Sequence, residues 1–384
     1  MIKKIIYINE TFYRKHRDLG IEVFRKKGYE VELWSNLNLK YKNKLSIPED
    51  SVEEKVIYFK NYGQLIGKIF KQNWTHTIAF FTTTTHRGGI EDFIRILIGV
   101  AGGRYCNFIY EIMPIGIIEQ KKEQNLHEKI QSKTYDYRRR FYQCIINKFF
   151  GPVFCFVPTY QSTNKLLTAK ERKVVIEVHN KDYDEYLLNR GEERKEKYIL
   201  FIDEDLTNAE DFRKSNTSVV YPEKSIYFDN MNLLFSRLEE YYGIPVYIAA
   251  HPKCEYKGHE FNGRKIFFYQ TCELVKNADL VLTHASAAVN FIILYRKPYI
   301  FLVDKYIKNH MLWKYVTLPS IRELRVKPCY FEREEEPWKY VNQPNEYYDL
   351  YFKKYIKNAN FDGMLFYEIV ERTIRKNERK TRCK

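Results

Sequence analysis

One polar interruption divides this sequence into two series of alternating strand-like and helix-like stretches, and such alternation restricts a chain to α/β folds with parallel sheets. In the first series Lys4–Ile8 is a β-rich run, Phe12–Lys27 a helical stretch closed by Gly28, and Tyr29–Trp34 a second strand with Val31 and Leu33 on one face. Val56–Phe59, Thr77–Phe81, Tyr105–Tyr110 and Val153–Val157 follow as strands. Helices are expected over 62–73 and 90–101, and the long charged stretch 119–150 also reads as helical. The interruption is Asn189–Lys197, which has no apolar residue. After it come strand Tyr198–Ile202, a helix over 226–242, strands Val246–Ala250 and Lys265–Phe268, a helix over 272–277, strand Leu280–Thr283, a helix over 287–295 and strand Tyr299–Val303. Breaks are expected at Pro319, Pro328, Pro337 and Pro344, and the last forty residues look helical and aromatic.

The chain is therefore expected to hold a domain over 1–190, a second over 191–340, and C-terminal helices over 341–384 that cross back to the first. A length of 384 residues agrees with two domains at about 150 residues each. Each domain is expected to be doubly wound and Rossmann-like, the two facing a cleft where ligands bind. The most apolar region, Phe93–Ile118, is broken by Arg95, Arg104 and Glu111, which argues against a membrane-spanning helix. The N-terminus reads as a first strand, not as a signal segment. Seven cysteines without a C-x-x-C pair argue against a disulfide framework or structural zinc and fit a cytoplasmic protein.

Charge sets the partner classes. With 64 Lys+Arg against 49 Asp+Glu, the net charge is +15. Either the excess is spread over solvated faces, or it meets an anionic substrate, an anionic membrane surface or nucleic acid. The basic residues cluster at Arg138–Arg140 and along the last fourteen residues, where seven Lys and Arg face two Glu. No RNP-like, KH or helix-turn-helix pattern is present, so no nucleic-acid partner is expected.

Three motifs could carry chemistry. His251-Pro252 ends the apolar strand Val246–Ala250, and a polar group at the carboxyl end of a parallel strand points into the ligand crevice. The alternative is a histidine that only caps a strand. Thr283-His284-Ala285-Ser286-Ala287-Ala288 ends a later strand and opens an apolar helix, with Ser286 expected at or near its N-cap, where free N–H groups favour an anion. The alternative is an ordinary cap among small packing residues. Asp203-Glu204-Asp205 follows strand Tyr198–Ile202 and reads as loop chemistry more than as a divalent-metal site, so no metal and no cofactor are expected. There is no G-x-G-x-x-G, Walker or G-x-S-x-G motif.

The stretches IPVYIAAHP and ELVKNADLVLTHASAAVNFIILYRKPYIFL resemble, in order and spacing, the C-terminal domain of GT-B glycosyltransferases that use CMP-activated sugars, such as bacterial sialyltransferases and Kdo transferases of surface-polysaccharide biosynthesis. The likeness is good over residues 198–303 and loose over the first half. It departs at Ser286-Ala287, where the family pattern has two hydroxyl residues, so one contact is missing or comes from Thr283 or His284.

The resemblance implies a metal-independent, inverting transferase moving an acidic sugar, a nonulosonic acid or Kdo, from a CMP-activated donor to a glycan or lipid-linked acceptor. It implies an acceptor-binding first domain and a nucleotide-sugar-binding second domain. In this reading His251 is catalytic, and Pro252, Ser286, Thr283, His284, Ala287, Asp203 and Thr271 bind the donor. The general base should sit at a strand end of the first domain, which leaves Glu111 and Glu10, with Asp182 and Asp184 as outside candidates. The competing readings are a CDP-polyol phosphotransferase of teichoic-acid type, a UDP-sugar transferase, and, outside enzymes, a basic nucleic-acid-binding protein. The basic clusters are expected to hold the protein peripherally on the inner face of an anionic membrane.

Overall fold

Near-continuous burial along short β-branched and aromatic runs produces parallel strands covered on both faces. In a computed structural model, which describes residues 1–10, 19–41, 56–82, 89–110, 112–114, 126–191, 196–207, 221, 223–252, 254, 256–284, 286–310, 313–358, 360–361 and 363–382, those strands form two sheets. The first contains β1 (Lys4–Asn9), β2 (Glu30–Ser35), β3 (Val56–Tyr58), β4 (Thr77–Phe81), β5 (Arg104–Phe108), β6 (Phe154–Val157) and β7 (Val175–Glu177). Their order is β3-β2-β1-β4-β5-β6-β7, and every pairing is parallel. The second contains β8 (Ile199–Ile202), β9 (Val246–Ala250), β10 (Ile266–Phe268), β11 (Leu280–Thr283), β12 (Tyr299–Val303) and β13 (Pro328–Tyr330). Its order is β10-β9-β8-β11-β12-β13, again parallel throughout.

The period of two along each strand sorts side chains between two cores. On one face of the first sheet Ile5, Tyr7, Phe80, Phe108 and Phe156 pack against Phe366, Tyr367, Ile369, Val370 and Ile374 from helix Phe366–Arg382. On the other, Ile6, Ile8, Phe81 and Tyr105 meet Leu65 and Ile69 of helix Tyr62–Lys71 and Ile94 and Ile98 of helix Ile90–Val100. In the second sheet Ile199, Phe201, Ile248, Leu282, Ile300 and Leu302 pack on Tyr227, Met231, Leu234, Phe235 and Leu238 of helix Lys224–Tyr242. The chain thus forms two compact units. One is Met1–Ile112, Lys121–Lys181 and Lys357–Lys384; the other is Met113–Gln120 and Asp182–Ile356. Among the described residues no helix is long and apolar enough to cross a membrane.

Several elements depart from their sequence patterns. The helix expected from Phe12 is described only from Ile21 to Lys26, after Gly20 in the left-handed region at φ 60; residues 11–18 lie outside the described residues. Strands β7 and β13, of three residues each, were not expected: β7 directly follows the charged helix Ala169–Lys173 and β13 opens on a proline. Pro328 opens β13 at the sheet edge, where its missing N–H costs nothing. Pro319 does not break the chain but lies in the first turn of helix Leu318–Leu324, where no helical donor is needed.

Gly20 makes a testable point. A Cβ there would be built into the ring of Tyr367, and its backbone is left-handed. Gly20→Ala should lower the free energy of unfolding by about 2–4 kcal/mol, measured by urea titration. Gly28→Ala, also left-handed but in open space, should cost only about 1–2 kcal/mol.

Candidate functional site

The order of the second sheet creates a crevice. From β8 the chain moves outward through β9 and β10, then crosses back to β11 on the other side of β8 and continues to β12 and β13. Connections therefore diverge between β8 and β11, and open α/β sheets bind ligands outside the carboxyl ends of the strands at such a switch point. Asp203 follows β8, His251 follows β9, and Ser286 lies just past β11.

Asp203 is buried and fully engaged. Its Oδ1 accepts the Asp205 N–H at 3.1 Å. Its Oδ2 accepts the Tyr256 hydroxyl, the Cys254 S–H at 3.3 Å and, over a long 3.5 Å, the His251 backbone N–H. The side chain thus turns away from the crevice and ties the loop after β9 to the end of β8. Burial and the Asp203 charge push the Cys254 thiol and Tyr256 hydroxyl far above their ordinary values, so both remain protonated donors.

Glu204 faces the other way. Burial, then the charge of Asp203, pushes its carboxyl up to about 8, and a hydrogen bond from Ser286 offsets only part of this. Its Oε1 is enclosed and has no hydrogen-bond partner among the described residues. Asp205, in the left-handed region at φ 48, is raised to about 6 by burial and by Asp203, against the lowering effect of Lys224. Near neutral pH the crevice therefore presents a protonated Glu204 carboxyl beside a serine hydroxyl. Among the described residues no three His, Cys, Asp or Glu side chains are grouped to hold a metal ion.

The remaining sequence candidates separate. Ser286 is not the N-cap of the following helix, because that helix runs Val289–Leu294 with Ala288 at the cap position. Instead Ser286 Oγ accepts the Ala288 N–H at 3.2 Å in a local turn. His284 is buried, with Nε2 3.2 Å from the Tyr227 hydroxyl and Nδ1 3.0 Å from the Leu302 carbonyl, and burial lowers it to about 4. Thr283 is buried and donates to the His284 carbonyl at 3.0 Å. Both residues are thus buried and bonded within the protein, and as consecutive residues they turn to opposite faces. Pro252 is exposed, and its carbonyl accepts the Tyr269 hydroxyl at 3.1 Å. Thr271 begins helix Thr271–Asn277, and Ala287 is half-buried beside Ser286.

In the other unit, Glu10 directly follows β1 and forms an ion pair with Lys40. Glu111 lies outside the described residues. Asp182 accepts the Asn290 amide at 2.7 Å. Sequence reasoning passed over Cys254, Tyr256 and Tyr269. Tyr269 is 61% exposed with a left-handed φ of 60, and only its backbone marks it, since aromatic residues rarely adopt that conformation.

Neither a family model nor a curated protein matches the sequence. Solved structures do. A histidine-to-asparagine variant of the wall teichoic acid polymerase TagF soaked with CDPG superposes at a TM-score of 0.57, with 13% identity over 99% of this chain and 90% of that one. Unmodified TagF gives 0.56 and 13% over 98% of this chain and 90% of that one. A UDP-GlcNAc 2-epimerase from Methanocaldococcus jannaschii gives 0.44, with 14% identity over 88% of this chain and 90% of that one. The fold is GT-B, built from two doubly wound Rossmann-like units.

The raised Glu204 carboxyl has a measurable consequence. Its folded value of about 8 lies above the ordinary 4.5, so the folded chain holds a proton that the unfolded chain has released. Stability from this group is full below about pH 4.5 and is lost as pH rises through about 8. Glu204→Gln should therefore melt close to the wild type at pH 4.5 and progressively higher than it towards pH 8, followed by calorimetry. An unchanged difference across that range would contradict the assignment.

Proposed function

We propose that this chain is a GT-B transferase that takes a cytidine-nucleotide-activated donor and transfers its group to a hydroxyl of a cell-surface glycan. The observation that carries the reading is the arrangement at the second switch point: the Ser286 hydroxyl lies near enough to the raised Glu204 carboxyl to lower it in part, beside the loop that Asp203 anchors and that carries His251. The cytidine preference rests on the resemblance of IPVYIAAHP and the Ser286 segment to CMP-sugar transferases.

In the first reading the bond from the anomeric carbon of an acidic sugar to CMP breaks, and negative charge grows on the departing phosphate. His251 meets that charge in the transition state, where a fixed donor contributes most. Protonated Glu204 and the Ser286 hydroxyl donate to the same anion or to the sugar carboxylate, Tyr269 offers an aromatic face for the base, and no metal takes part. A second reading, CDP-polyol phosphotransfer, is favoured by the likeness to TagF, one structure of which is soaked with CDPG. Here the bond between the two phosphates of the donor breaks. CMP again departs, so the same residues serve it.

The general base belongs to Glu111 or Glu10; the glutamine variant of the true base loses turnover but still binds CMP. The exposed face of helix Phe366–Arg382, with Arg372, Arg375, Lys376 and Arg379, and the exposed Arg138–Arg140 cluster hold the chain peripherally on anionic lipid.

Titration calorimetry with CMP, UMP and GMP tests the donor class, and only CMP should bind tightly. Phosphorus analysis of the product separates the two readings, because polyol-phosphate transfer adds phosphorus to the acceptor and sugar transfer does not. His251→Ala should reduce turnover by about 10²–10³, and unchanged turnover refutes its role. CMP affinity should fall as pH rises through about 8, and Glu204→Gln should abolish that fall. Activity lost to EDTA and restored by Mn²⁺ would overturn the metal-independent mechanism.

A further inference from the structure

Asp136, Arg139, Arg140, Gln143 and Asn147 follow one another at helical spacing and so form one stripe along helix Leu126–Lys148. This stripe is one wall of a cavity of about 500 Å³, within the range of about 300–1,000 Å³ typical of small-molecule sites. The other wall is the segment between helices Tyr160–Thr163 and Ala169–Lys173, which contributes Lys165 and Thr168. Among the described residues no strand end takes part, so the cavity belongs to the helix layer of the first unit and not to the strand ends where the acceptor is expected.

The neutral polar groups of this cavity are committed and the charged ones are not. Thr168 caps the helix that follows it, accepting the Glu171 N–H at 3.3 Å, and Gln143 donates to Asp92 at 2.7 Å. The side chains of Arg139, Arg140, Lys165 and Asp136 make no ion pair and no hydrogen bond among the described residues. A solvated cation on a helix face needs no partner, but here three cations share one concavity with a single carboxylate, which leaves it a net charge of +2. Asn147 Oδ1, at the end of the same stripe, is enclosed and has no hydrogen-bond partner among the described residues. An enclosed polar atom left unmet is costly, so this one also asks for a ligand.

From this we infer a discrete binding site in the cavity for a phosphomonoester. The charge selects the class. A phosphomonoester carries about −1.5 to −2 near pH 7, which matches the cavity, whereas a carboxylate or a phosphodiester carries a single charge and meets half of it. The guanidinium forks of Arg139 and Arg140 suit phosphate oxygens, and Lys165 adds a point charge from the other wall. The volume leaves room for the organic part of the ester, and a hydroxyl on it can donate to Asn147 Oδ1. A free phosphorylated metabolite and a lipid with a terminal phosphate share this chemistry. The site goes beyond the attraction to anionic lipid proposed for Arg138–Arg140 and does not depend on it. That attraction needs only charge near a surface, while this site needs Lys165 and Asn147, which lie outside the basic run.

The test uses the full chain and two probes, and which one responds distinguishes the sources. Titration calorimetry with glycerol 2-phosphate reads a free ester. Vesicles containing phosphatidic acid, compared with phosphatidylglycerol vesicles of equal surface charge, read a lipid headgroup. Binding to the responding probe should weaken by about ten- to a hundredfold in Arg140→Gln and in Lys165→Gln, both at exposed positions where the fold tolerates the change. Lys133→Gln, which removes the same charge from the same helix outside the cavity, should leave that binding unchanged. Lowering the pH from about 7.5 to about 5 should weaken it severalfold, because the ester then loses one of its two charges. An equal loss in all three variants would mean diffuse charge only, and no loss in Arg140→Gln and Lys165→Gln would place the anion elsewhere. Either result, or no response to both probes, overturns the site. Attachment to both kinds of vesicle alike, with no calorimetric signal, leaves the peripheral reading standing and removes this one.

Discussion

Asp203 is the fixed point from which the second unit's crevice is built. A carboxylate withdrawn from water is costly unless donors surround it, and this one has the Tyr256 hydroxyl, the Cys254 thiol and the backbone N–H groups of Asp205 and His251. Tyr256 is itself held edge-on by Phe228 and Phe261. Two consequences follow from turning Asp203 inward. The loop after β9 is tied to the end of β8, which sets the main chain at His251. Glu204, next in the chain, is directed to the β11 side and reaches Ser286, close enough to the Asp203 charge for its own proton to be retained. The three acidic residues therefore do three different things, and only Asp203 is a structural anchor.

The two sheets share one topology and differ in how polar atoms are met near their switch points. In the second, among the described residues, Glu204 Oε1 after β8 and Asn290 Oδ1 on the helix after β11 keep an unmet atom, while Asp203 and His284 are satisfied within the protein. In the first, Asn9, Asn36, Thr82 and Glu91 all keep an unmet atom. A short distance away the same edge is fully connected: Asp92 accepts from Arg95 at 2.7 Å and from Gln143 at 2.7 Å, and Arg95 continues to Asn107. Polar burial on this edge is thus selective, and the unmet atoms stand on both faces of the sheet, Asn9 and Thr82 on one, Asn36 and Glu91 on the other.

The doubly wound fold was legible because it is written in local periodicity. Runs such as Val246–Ala250 and Tyr299–Val303 match β9 and β12, and the polar stretch after Asn189 precedes the second series of strands. Val175–Glu177 was not legible: it is three residues long and follows a charged helix directly, whereas the equally short Val56–Tyr58 and Ile266–Phe268 were marked by apolar, aromatic runs. The polar motifs were legible as positions and not as roles. His251, Ser286 and Asp203 follow their strands as expected, yet His284, two residues before Ser286, bonds to Tyr227 and Leu302 in the core. Nothing local separates an inward histidine from an outward one when the difference is which distant helix lies beneath it.

The sequence alone determined that this chain forms parallel α/β units, where the strands end, and that polar residues stand at those ends. These properties depend on neighbours a few residues apart. Tertiary structure alone decided which of those residues meet. Glu204 reaches Ser286 across 82 positions of chain, and Asn36 reaches Glu91 across 55. Such contacts follow from strand order, which is settled by how whole helices and sheets bury their apolar faces against one another. Desolvation and Coulomb effects act through space, so the proton on Glu204 and the unmet atoms of the first sheet exist only once that order is in place.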